Sequence, residues 1–360
     1  MSATDTTDSA RPGERKLADE RRAQWRRIES WLSGSDPRPL APPAYRGRQW
    51  VFLLLMVILA CFVPLVFGGD AYHDGLLDNT LIYAVLALGF WWCFTLAGQF
   101  TFAVVAVYAT GSYASLWVSK HYGGFWLGFV AALVAAGVLG GLMKLLFYRL
   151  STLYFAIATF GVSGLLLVVY QNWTQFTGGY QGIGRIPVPT LFGYRLATLH
   201  RQYYLELLVL AVFLAATIAL IRSPAIRDLS LSRDKGPVAS TAGLKPQHLI
   251  LVAFVVGSAM QGAAGSLYAH NVTFVSLESF DPTISLTVLL MVLLGGMESI
   301  YGPVIGAAII VYLPEILRSW QKYSDIIYAA LVLLIVIAFP SGIAGTRKTV
   351  EGWIARVRRH

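Results

Sequence analysis

Charge is scarce in this sequence. Asp, Glu, Lys and Arg make up 13% of its 360 residues, where soluble domains carry roughly 25%. That deficit excludes an ordinary water-soluble globule. Cysteine is scarcer still. Cys61 and Cys93 both sit in apolar runs and form no CxxC, so a disulfide framework or thiolate metal site is not indicated and packing is their expected role. There is no HExxH, and the six histidines (His73, His121, His200, His248, His270, His360) lack metal-ligand spacing. There is no GxSxG. The one near-match to a phosphate loop, "GIAGTRKT" at 342–349, lacks the GK[ST] register and follows an apolar run with no strand before it. The first 48 residues hold no apolar segment of the kind a secretory signal peptide needs. No catalytic constellation, metal site, cofactor site or nucleotide site of the chain's own is expected.

What the sequence has is apolar length: 56% of its residues are hydrophobic. Uncharged runs of about 20 residues recur, each long enough to cross a hydrocarbon layer about 30 Å thick. They lack the alternation of barrel strands, so helices satisfy the backbone in lipid. The expected fold is all-α, a polytopic membrane bundle of about ten helices. The spans fall near 50–68, 80–97, 101–119, 124–143, 152–171, 203–221, 248–269, 284–297, 301–317 and 325–342. Glycines and polar residues interrupt the third, eighth and ninth, which suits broken or re-entrant helices. Ser258, Gly262 and Ser266 recur at i, i+4 and i+8 beside Ala259 and Ala263, a face on which helix backbones can approach closely.

The net charge of +9 sits in the segments flanking the spans, so it points to membrane orientation rather than to nucleic acid. With a cytoplasmic N-terminus, the 69–79 loop is external, with Asp70, Asp74 and Asp78 and no basic residue. Lys144 and Arg149 then fall inside. The 222–247 segment is also inside, with Arg222, Arg227, Arg233, Lys235 and Lys245, and so is the tail after 345 with Arg347, Lys348, Arg356, Arg358 and Arg359. The 172–202 segment, with Arg185, Arg195 and Arg201, runs against this pattern, but long loops obey it less strictly. Both termini are therefore expected to be cytoplasmic. Residues 1–48 carry ten basic and seven acidic residues. Within them 14–33 can form either a helix lying on anionic lipid, with Leu17, Ala18, Trp25, Ile28 and Leu32 on one face, or a polar tail. The transmembrane domain spans 49–345, and 346–360 is a basic tail. Glu206, Glu298, Glu315 and Asp325 fall near predicted span ends, a placement that disfavours a proton-coupled carrier.

Four stretches carry a resemblance. "STLYFAIATFGVSGLLLVVYQNWTQFTGGYQGI" (151–183), "AFVVGSAMQGAAGSLYAH" (253–270), "VLLGGMESIYGPVIGAAIIVYLPE" (292–315) and the segment beginning Arg222-Ser223-Pro224 follow in order. Together they resemble the LivM-type permease subunit of branched-chain amino acid ABC importers over about residues 80–345. One stretch departs. At 98–113 "GQFTFAVVAVYATGSY" has Thr101 where the family usually has Ser, and Ala103-Val104 where it has Gly-His. That departure leaves urea, amides and aromatic acids open beside branched-chain amino acids.

The resemblance implies partners: a homologous second permease subunit, two cytoplasmic ATP-binding subunits that use ATP, and an extracytoplasmic binding protein. It also implies that 222–247 is the loop that couples to the ATPases, through Arg233, Asp234, Ala239 and Gly243. The physics is compatible. Burying that segment's seven charges would cost about 20 kcal/mol, and Pro237 and Gly243 suit the start and end of a short helix. Thr177, Gly178, Gly179 and Gly182 are expected to form an external turn near the binding-protein dock, with positive φ. Gly98, Thr101 and Gly111, echoed by Gly296, Ser299 and Gly306, are the expected translocation path, a faint internal repeat. A self-sufficient channel or ion-coupled carrier stays open as an alternative, but it would leave the charged loop unexplained.

Overall fold

The structure is a computed structural model that describes residues 48–67, 71–184, 186–191, 194–195, 199–221, 223, 246–272 and 274–317. The amphipathic segment at 14–33, Arg233, Asp234, Ala239 and Gly243, the span at 325–342 and the basic tail lie outside the described residues. The helices are α1 (Arg48–Phe67), α2 (Ala71–Trp91), α3 (Val104–Tyr122), α4 (Phe125–Leu146), α5 (Thr152–Asn172), the one-turn α6 (Thr174–Thr177), α7 (Leu199–Ile221), α8 (Pro246–Asn271), α9 (Thr283–Gly295) and α10 (Gly302–Leu317). Four two-residue strands make two small antiparallel pairs. β1 (Ile183–Gly184) pairs with β4 (Phe274–Val275), and β2 (Thr190–Leu191) with β3 (Tyr194–Arg195).

Six segments are long and apolar enough to cross a membrane among the described residues. Helix α3 is not one of them, and its surroundings explain why. It carries Ser112, Ser115 and Ser119, yet it is buried along most of its length by α4, α5, α8 and α9. A helix sheathed in protein has no need of a lipid-facing surface. By contrast α5 packs lightly, with 22% of its window buried against 78% for α2.

Helix α8 is the hub. It begins at Pro246, whose fixed φ and missing N–H suit a first turn, and it packs on α2, α3 and α4. The small-residue face lets these backbones touch. A Cβ on Gly111 would overlap Gly262, and one on Gly262 would overlap Ala136. Serines link the same seam, Ser115 Oγ to Ser266 Oγ at 2.7 Å and Ser112 Oγ to the Gly265 carbonyl at 2.8 Å.

One boundary differs from the sequence expectation. Helix α2 starts at Ala71, so Asp74 and Asp78 are helix residues and not part of an external loop. Acidic residues suit a first helical turn, and Asp78 has buried partners. It and Glu206 both accept from Asn271 Nδ2, at 3.2 and 2.9 Å. All three sit where α2, α7 and α8 meet. Asp78 and Glu206 are buried, so the spans do hold ionisable side chains in their interior.

Candidate functional site

Two interruptions and one turn organise the bundle. The first interruption follows α2, which ends in a π turn, Trp92–Leu96. Gly98 then takes φ 66°, and the chain stays non-helical until Val104. The third helix thus begins later than hydropathy places it. The exposed N–H groups at its start are held by hydroxyls from three elements. Phe102 N–H donates to Thr159 Oγ1 (3.2 Å), Ala103 N–H to Thr101 Oγ1 (3.1 Å) and Val105 N–H to Ser285 Oγ (3.2 Å). Thr101 is therefore a buried capping residue of this break. Gln99 beside it accepts a hydrogen bond from Lys144 Nζ at 2.8 Å.

The second interruption separates α9 from α10. Gly296 has φ 108°, and Ser299 Oγ accepts from the Tyr301 N–H at 3.3 Å. The indole of Trp91 donates to the Met297 carbonyl at 2.7 Å, which ties this break to the residue just before the π turn of the first. Gly98, Thr101, Gly296 and Ser299 thus belong to two linked breaks. Gly111 and Gly306 do not. Gly111 lies inside α3 against Gly262, and Gly306 lies inside α10 against the Met291 carbonyl, so both are helix-packing positions.

The turn at 177–182 closes the opposite end of α5. The Thr177 hydroxyl lies against the carbonyls of Tyr170 and Trp173 and accepts the Gly179 N–H. Gly178, Gly179 and Gly182 have φ of 73°, 60° and 65°. A side chain at Gly182 would strike the Val275 carbonyl, because β1 and β4 join here with Ile183 opposite Val275. The loop that carries β4 continues to Phe280, a fully buried ring. Its centroid lies 5.5 Å from those of both Tyr108 and Tyr113, and 6.1 Å from that of Tyr268. The β1–β4 pair thus joins the turn to a loop that Phe280 sets against the rings of α3 and α8.

The sequence profile of the family described as branched-chain amino acid transport system, permease component, matches residues 73–337. The chain belongs to this family. The permease is 30% identical over 328 residues to the high-affinity branched-chain amino acid transport system permease protein LivM of Escherichia coli K12, a match covering 84% of this chain and 77% of that protein. LivM of Salmonella typhimurium LT2 matches to the same extent. The LivH permease protein of E. coli K12 is 26% identical over 303 residues, covering 75% of this chain and 92% of that one. No solved structure matches the permease. Its kinship and its apolar helices make it a multi-pass protein of the inner membrane.

Three groups in the permease were not singled out from sequence as a site: Lys144 with Gln99, the Asp78–Asn271–Glu206 cluster, and the rings around Phe280. A signal existed for the first. Gly137, Gly140, Gly141 and Lys144 follow helical spacing along the buried face of α4, so the glycine stripe marks Lys144 as inward-facing. The other two groups join residues distant in sequence and carry no local signal.

Proposed function

We propose that this chain is one transmembrane half of an ABC importer for branched-chain amino acids or a related small solute. It would pair with a homologous permease, two cytoplasmic ATP-binding subunits and an extracytoplasmic binding protein. ATP would be bound and used by the partners, and this chain would hold no cofactor. Ten spans with both termini cytoplasmic complete the reading. The turn at Thr177–Gly182 then faces outward toward the binding protein, and the end carrying 97–103 and Lys144 faces inward. The observation that carries this reading is the match to LivM along 84% of the chain; the parallel match to LivH supports a partner of the same family.

The path is assigned to the two linked breaks. Unwound backbone at membrane depth is tolerated where it lines a cavity or lies within protein, and both breaks lie against neighbouring helices. The departure at Thr101, Ala103 and Val104 falls on the first break, so urea, amides or aromatic acids are a second solute class. Proteoliposomes holding the permease pair, the ATPases and the binding protein test both readings. ATP-dependent uptake of labelled leucine, competed by valine and isoleucine, is expected. Competition by amides or aromatic acids instead would shift the solute class. Uptake by this chain alone, without ATP, would replace the importer with a self-sufficient carrier.

A further inference from the structure

Lys144 stands two residues before the end of α4. Its neighbours Leu145 and Leu146 are exposed on the apolar surface. A lysine so near a helix end can carry its ammonium along the surface to the headgroups. This one turns the other way, leaving 7% of the residue exposed. Its nitrogen meets the Gln99 amide oxygen at 2.8 Å and the face of Phe155, 5.0 Å from the ring centre. Neither group carries a full negative charge, and among the described residues no carboxylate pairs with it. An ammonium has three donors, and the Gln99 bond uses one.

The surroundings narrow what could answer it. Gln99 lies in the first break, its N–H held by the Cys93 carbonyl at 2.9 Å. The hydroxyls of Thr101, Thr159 and Ser285 each already accept a backbone N–H there. Among the described residues, Lys144 brings a positive charge to this break through Gln99. A buried cation is costly unless an anion compensates it. Its inward turn sets it toward the first break and away from the apolar surface.

We propose that Lys144 and Gln99 form a binding site for the carboxylate of the transported solute at the inner end of the path. This rests on the amino acid reading above. In the structure Gln99 occupies the ammonium as a neutral stand-in. A carboxylate makes a stronger, charge-assisted bond with the same nitrogen and displaces the amide oxygen. Rotation of the Gln99 amide then turns its NH2 toward the second carboxylate oxygen. The site would accept amino acids and other small carboxylates, and reject the corresponding amides.

Binding of labelled leucine to the reconstituted permease–ATPase complex, without binding protein, reads this site directly. Leucine should compete and leucinamide should not. Lys144→Met should weaken leucine binding about tenfold, the loss expected for one charge-assisted hydrogen bond, and Lys144→Arg should retain most of it. The thermal midpoint of Lys144→Met in detergent should hold or rise, because a buried charge with no carboxylate partner among the described residues is removed. Unchanged leucine binding in Lys144→Met overturns the proposal. So does a lowered midpoint with binding lost in proportion, which would make Lys144 a structural residue, and so does equal competition by leucinamide. If the complete wild-type importer moves no amino acid, the functional reading fails and this proposal falls with it. If it moves leucine while Lys144→Met binds normally, only the proposal fails.

Discussion

Pro64 removes from α1 the N–H that would bond the Ala60 carbonyl four residues back. The Tyr203 hydroxyl of α7 supplies the missing donor at 2.8 Å, so a defect in one helix becomes a bond between two. Tyr203→Phe should lower stability by about 1 kcal/mol, the scale of interhelical hydrogen bonds in membranes. Pro64→Ala in the same background should restore most of it, because the backbone donor returns. Thermal midpoints of the four variants in a double-mutant cycle measure the coupling, and additive effects would show that Tyr203 acts elsewhere. Gly182 is the other residue whose role is local. An alanine there would hold a positive φ, costing roughly 1 kcal/mol or more, and its Cβ would meet the Val275 carbonyl. Gly182→Ala should therefore part β1 from β4, seen as faster amide exchange at Ile183 and Val275. Protection equal to wild type would mean that the turn tolerates a side chain. These glycines were legible in the sequence because the chain has few reasons other than backbone conformation to place three within six residues. The bond to Ala60 was not, since nothing near Pro64 names its partner.

At the scale of elements, the seam around α8 decides which helices are fixed. The backbone of Gly262 lies against Gly111 on α3, and a Cβ on Gly262 would meet Ala132 and Ala136 on α4, so Gly262→Leu must push α4 away. Overpacking costs typically about 1–3 kcal/mol, and a Cβ that overlaps the Ala136 Cβ and lies 2.6 Å from the Ala132 carbonyl oxygen should put this change at the top of that range or beyond. Gly161 on α5 has nothing within 4 Å of where its Cβ would be. Gly161→Leu should leave the isolated chain's midpoint within about 0.5 kcal/mol of wild type. Equal loss in both variants would count against α8 as the hub. The small residues of this seam could be read from Ser258, Gly262 and Ser266. The helix boundaries could be read less well, for a physical reason. Hydropathy finds the apolar window of a helix, whereas hydrogen bonds and buried partners set its ends. Asn271 lets α2 begin ahead of Asp78, and the hydroxyls of Thr159 and Ser285 serve the start of α3 at Val104.

At the scale of the molecule, the connection between α7 and α8 is where force could enter. In the sequence this charged segment leads to Pro246, the first residue of the 26-residue helix that touches α2, α3 and α4. Backbone-to-backbone contacts at Gly89–Gly257 and Gly111–Gly262 leave α8 little room to move without its neighbours. A push on its first turn should reach both the first break, through Cys93 beside Gly257, and the Asp78–Glu206 junction at its far end. We propose, as the family resemblance implies, that this segment is the contact with the ATPases; its sequence carries the charges and the small residues such a contact needs. Ala239→Trp would add bulk where close approach is expected. Gly243→Val would add a β-branched side chain where a helix is expected to end, in a position that favours glycine. Both positions lie in the charged, Pro- and Gly-punctuated stretch of the sequence and not in an apolar run, so both variants should insert and keep the wild-type thermal midpoint. Both should fail to co-purify with the ATP-binding subunits, or should co-purify without stimulating hydrolysis in response to loaded binding protein. Arg233→Ala and Asp234→Ala should have milder effects, changing the salt dependence of assembly before its strength, as charges at the rim of a contact do. Wild-type recruitment and transport in Ala239→Trp and Gly243→Val would remove the coupling role from this segment. The case for an ATP-driven importer would then rest on sequence kinship alone.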